Sequence, residues 1–123
     1  MNQICLVSMD NVKELSLKNI EILAKKETSP IEKKLQALIR KALLSDNLLR
    51  YIQEVQIALS GHGKVHASTV KGLVEYAMAH NEVEIRHTVP DELQDRIVEQ
   101  DKYRLTQAEV WLLGALAHLG LLE

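Results

Sequence analysis

The chain has 123 residues, 46% of them apolar, with aromatics at only 3% and no Phe. That length suits one domain, and a core of Leu, Ile, Val and Ala favours helix packing over an aromatic-rich sheet. The formal net charge of −2 by itself argues for nothing, while the single Cys5 rules out an internal disulfide and fits a reducing compartment. The charge is unevenly spread: residues 1–45 carry a net +3, residues 46–80 balance, and residues 81–123 carry −5. Attraction between the two ends of the chain is the simplest consequence. A weakly basic face toward an acidic partner is the functional one.

No basic segment precedes the short apolar run Ile4 to Val7, so no secretory leader is expected. No apolar run approaches the length of a membrane span, and a cytoplasmic location is the expectation. Residues 1–9 read as a short strand or an ordered tail. Asp10 is placed to cap a helix over Val12 to Lys26. Lys25 and Lys26 near its end complement the helix dipole.

Ser29-Pro30-Ile31-Glu32 offers a capping hydroxyl, a proline at the first helical position and a Glu three residues after the cap. Ile31, Leu35, Leu38, Ile39, Ala42 and Leu43 then recur at helical steps, so a helix is predicted to end near Leu44. Ser45-Asp46-Asn47 resets the chain and supplies a new cap. Leu48, Leu49, Ile52, Val55 and Leu59 mark the next helix, and Gly61-His62-Gly63 breaks it. Ser68 can cap a helix through Val70, Leu73, Val74, Ala77 and Met78, with Asn81 as its end.

Val83, Ile85, His87 and Val89 alternate with polar residues, a period-two strand signal. Its nearest pairing candidate is the segment at residues 64–66, with residues 3–7 second. Pro90 then opens a short acidic helix over residues 90–101, anchored by Leu93 and Ile97. Thr106 and Glu109 have the spacing of a capping box and start a C-terminal helix through Val110, Trp111, Leu112, Leu113, Leu116, Ala117 and Leu119. Its apolar residues cover more than one face, so this helix should be surrounded by protein. Gly120 is placed to end it in a left-handed cap. The expectation is therefore a mainly α, compact single-domain bundle of five or six helices over residues 1–123, with a minor β-strand or hairpin element around residues 64–66 and 82–89.

Chemistry is sparse along the chain. His62, His66, His80, His87 and His118 have no spacing that fixes a metal site, and Cys5 has no nucleophile motif around it. Asp91, Asp95 and Glu99 are one turn apart, which is common on any solvated helix. Gly61-x-Gly63 lacks the third glycine of a dinucleotide loop, and Gly61-His62-Gly63-Lys64 lacks the phosphate-loop spacing. Neither an enzyme nor a cofactor is expected, nor a small-molecule substrate.

Residues 47–89 read as helix, tight turn, a Ser68-Thr69-Val70 helix start and a strand around Ile85. That order resembles a winged helix-turn-helix. The resemblance covers about a third of the chain and implies DNA contacts from Lys64, Thr69, Lys71 and Arg86. It departs from that pattern in its long double-glycine turn and in a recognition helix that offers Lys71 and little else. The first functional expectation is a non-enzymatic regulatory or interaction module that binds another protein or itself, as an inhibitor, regulator or assembly factor. The apolar excess of the C-terminal helix, at Trp111, Leu112, Leu116 and Leu119, is its candidate surface. A DNA-binding transcriptional regulator is the alternative.

Overall fold

The computed structural model describes residues 29–123. Four helices follow one another: α1 (Pro30–Leu44), α2 (Leu48–Ala58), α3 (Ala67–Thr88) and α4 (Asp91–His118). The helix expected over Val12 to Lys26 and the strand option at residues 3–7 lie outside the described residues.

The start of α1 follows the sequence closely. Ser29 Oγ accepts from the Glu32 N–H at 3.3 Å, and Glu32 Oε1 accepts from the Ser29 N–H at 3.3 Å. Two backbone donors that the helix cannot satisfy internally are thereby paired. Leu35, Leu38, Ile39 and Ala42 form the buried stripe of α1. Asn47 caps α2 by accepting from the Arg50 N–H at 3.1 Å. α2 buries Tyr51 and Val55, and Leu59 just beyond it continues the same stripe. The Tyr51 hydroxyl donates to the Leu38 carbonyl at 2.8 Å, tying α2 to α1 inside the core.

Between α2 and α3 the chain turns at Gly61, whose φ of +86° is the left-handed conformation that glycine adopts without a Cβ clash. Val65 then forms an isolated parallel bridge with Leu122. Its N–H donates to Leu121 O at 2.7 Å, and its carbonyl accepts from the Glu123 N–H at 2.8 Å. The β-element at residues 64–66 is thus reduced to this one bridge, and its partner is the C-terminal segment, not residues 82–89.

Three expectations on α3 and α4 are corrected. First, α3 begins at Ala67, with His66 as the cap residue and Ser68 already inside the helix. Second, residues 82–88, read as a strand, continue α3. Of the alternating set only Ile85 and Val89 are buried, while Val83 and His87 are exposed. The stripe that governs is Val70, Val74, Ala77, Asn81 and Ile85, with period near 3.6. Third, the helix at residues 90–101 and the C-terminal helix are one. Thr106 caps nothing; its hydroxyl donates back to the Lys102 carbonyl at 2.8 Å in mid-helix. Four helices therefore stand where the same residues were expected to give five.

The second and third corrections have one cause. Asn81 is fully buried and Asp101 is 2% exposed, each at a core position of its helix. A polar residue on the buried stripe interrupts the apolar pattern that marks a helix in sequence. The two also separate two apolar clusters. The large one joins all four helices. The small one, Ile85, Val89, Ile97 and Val98 with Leu93 against it, closes the α3–α4 hairpin tip. Gln94 fixes that tip by donating to Val89 O at 2.9 Å and Arg86 O at 3.2 Å.

α4 is the central element: it rests against each of the other three helices. It ends as expected at Gly120, with φ +72°. The Leu121 N–H returns to Leu116 O at 2.8 Å and the Gly120 N–H to Ala117 O at 3.1 Å, the paired bonds of a Schellman cap.

Candidate interaction surface

The four C-terminal residues singled out as a partner surface do not share one. Leu112 and Leu116 are fully buried in the large cluster, and Leu119 is half-buried against it. Sequence periodicity alone could not say which neighbours cover them; α1, α2 and α3 do so. Trp111 is half-buried. Its ring sits 6.0 Å from that of Tyr51, tilted by 50°. Its open side lines a shallow cleft of about 240 Å³ with Ala42, Leu43, Tyr103, Arg104 and Gln107.

The four residues of the DNA reading are also dispersed. Lys64 and Lys71 are exposed near the start of α3, with Thr69 half-buried between them. Arg86 lies toward the other end of that helix, about 22 Å away along the axis at 1.5 Å per residue. It is engaged there, bonding Asp95 at 2.8 Å and Glu82 at 3.3 Å. These acidic partners, Asp95 first, raise the Arg86 pKa further. Lys102 reaches the other oxygen of Glu82 at 3.6 Å. The expected wing strand is helical, so a helix carries Arg86.

The histidines are spread over the bundle. His80 stacks on Tyr76 with ring centroids 4.4 Å apart. His87 Nδ1 lies 2.9 Å from Val83 O, and His66 Nε2 lies 3.6 Å from Glu123. Among the described residues no group of three or more His, Cys, Asp or Glu gathers to hold a metal ion. Among them also, no helix is long and apolar enough to cross a membrane.

The feature that sequence reasoning missed is on α2. Leu49 is 69% exposed and Ile57 77%, the highest values among the exposed large apolar side chains of the described residues. Leu44 and Leu48, at the α1–α2 turn, are exposed as well. Of the residues that mark this helix in sequence, Val55 and Leu59 are buried with Tyr51, Ile52 packs half-buried against them, and Leu48 and Leu49 are exposed. The available signal was an excess of apolar residues. A helix of 11 residues needs one stripe, and Leu49 and Ile57 fall outside it. α2 is also the least embedded helix, resting on α1 and α4 only among the described helices.

No family model, curated protein or solved structure matches this chain. The surface is therefore interpreted from its own chemistry.

Proposed function

We propose that this chain is a small non-enzymatic regulatory or interaction module that binds another protein or associates with itself. One observation carries the proposal: of the eight exposed large apolar side chains among the described residues, four, Leu44, Leu48, Leu49 and Ile57, belong to one short helix and the turn before it. Single exposed apolar residues are ordinary on any protein. Such a share of the exposed apolar side chains on one short segment supports a surface that a partner covers. The cleft beside Trp111 opens from the same α1–α2 corner, since Ala42, Leu43 and Ser45 line it.

A photo-crosslinking residue at position 57 tests the reading in cells, with position 99 on the solvated side of α4 as control. The expected result is a discrete protein adduct from position 57 and none from position 99. Absence of any adduct at 57 would contradict it.

The DNA-binding alternative draws support from the succession of α2, turn and α3, with exposed Lys64 and Lys71 beside the α3 start. Phosphate contacts must supply much of such affinity. Among the described residues the α3 start offers Lys64 and Lys71, while Arg86, far along the helix, is held by Asp95 and Glu82. Binding to random duplex is expected no tighter than roughly 10⁻⁴–10⁻⁶ M, the range of non-specific contacts. Nanomolar, salt-sensitive binding lost in Lys71→Ala would favour the DNA reading.

A further inference from the structure

We infer that the α3–α4 hairpin tip, residues 82–100, opens by local unfolding as one unit while the four-helix body stays folded. The level of Asn81 and Asp101 is its boundary. The inference is independent of the surface on α2.

Three observations set the tip apart. The first is where the apolar contacts stop. The buried stripe of α3 reads Val70, Val74 and Ala77, then Asn81, then Ile85. That of α4 reads Ile97 and Val98, then Asp101, then Leu105, Ala108 and Leu112. Each helix thus passes from apolar to polar and back between the same two clusters. Val74, Ala77, Leu105 and Ala108 belong to the large cluster, and Ile85, Val89, Ile97 and Val98 to the small one. Apolar side chains stabilise one another only where they touch. The polar level therefore limits how far the loss of the small cluster is felt in the large one.

The second observation is coverage. α1 and α2 have 15 and 11 residues against 22 and 28 for α3 and α4. At 1.5 Å per residue these are about 22 and 16 Å against about 33 and 42 Å. The end of α1 lies beside Tyr103, Arg104 and Gln107, on the body side of Asp101. Among the described residues, α1 and α2 give no member to the small cluster. A unit with few buried apolar contacts is the kind that opens at lower cost than the whole fold.

The third observation is that the polar ties of the tip are largely internal to it. Arg86 bonds Asp95 at 2.8 Å, and Gln94 donates to Val89 O and Arg86 O. These bonds join the end of α3 to the start of α4, so they are lost together when the tip opens. The pair Lys102–Glu82, at 3.6 Å, crosses the boundary, but both side chains are partly exposed, and such pairs hold little. Opening exposes Ile85, Val89, Ile97 and Val98 and leaves Leu112 and its neighbours packed.

The test is native-state amide hydrogen exchange of the full chain in rising urea, read by NMR. Exchange separates local opening from global unfolding, and its urea dependence scales with the surface exposed. Amides at 84–88 and 95–100 should share one opening, populated at least about tenfold more than that of amides at 73–77 and 108–116, with a smaller urea slope. The decisive variant is Leu112→Ala. Body amides should exchange at least about tenfold faster, because the body unfolds more easily. Tip amides should keep their wild-type rate, because Leu112 stays packed when only the tip opens. Ile39→Val, a smaller truncation in the same cluster, repeats the comparison if Leu112→Ala does not fold. A single opening shared by tip and body in wild type, or equal acceleration of both by either variant, would overturn the inference.

Discussion

α4 and α2 carry similar apolar chemistry and use it in opposite ways. α4 touches every other described helix, and its large apolar side chains Leu105, Leu112 and Leu116 are fully buried. α2 rests on two helices, buries Tyr51 and Val55, and turns Leu49 and Ile57 outward. An apolar residue stabilises a fold only where other elements cover it. On α4 most of the apolar content is core, with Tyr103 and Val110 exposed, whereas on the much shorter α2 Leu48, Leu49 and Ile57 exceed what the core uses. Substitutions on the two helices should separate accordingly, one set changing stability and the other association.

The largest effect belongs to α4. Leu112→Ala removes a fully buried side chain from the cluster that joins all four helices. It should cost about 2–5 kcal/mol through lost burial and the remaining cavity. Denaturant unfolding measures it. A loss under about 1 kcal/mol, the range of a surface change, would mean that α4 is not the centre of the bundle.

Tyr51 belongs to the inner face of α2 and should behave as core. Tyr51→Phe removes its bond to Leu38 O and should cost about 1 kcal/mol at neutral pH. Burial first, and then the Glu54 carboxylate, push the Tyr51 hydroxyl well above its ordinary pKa. The fold holds the protonated phenol. That contribution is complete below the ordinary phenol value of about 10 and declines as pH rises through it toward the folded value. Wild type should lose stability above about pH 10 more steeply than Tyr51→Phe. Parallel pH profiles for the two would show that Tyr51 is not buried as described.

The sequence made the helix ends legible where local chemistry decides them. The Ser29 box, the Asn47 cap and the Gly120 termination all depend on residues within a few positions. It misled where a distant neighbour decides. Asn81 and Asp101 look like interruptions until another helix is seen to cover them, and then α3 and α4 run through. Thr106 and Glu109 have the spacing of a box, but the Thr106 hydroxyl bonds backward to Lys102 O because the backbone there is already helical. For the candidate surface, the sequence pointed to an apolar excess on the C-terminal helix, where Leu112 and Leu116 are core, while Leu49 and Ile57 of α2 stand exposed. Leu112 and Leu49 are the same residue type on amphipathic helices. What distinguishes them is how many elements pack around each, and that is set by the tertiary fold.

The smallest expected effect on stability tests the central claim most directly. If the outward face of α2 is surplus to the fold, the double variant Leu49→Ser/Ile57→Ser should unfold within about 0.5 kcal/mol of wild type, as exposed substitutions do. The measurement is denaturant unfolding at a concentration low enough to hold both proteins as monomers. A loss of about 2 kcal/mol or more, the range of a buried side chain, would contradict the account. Leu49 and Ile57 would then be part of the core, and α2 would have no face to offer a partner.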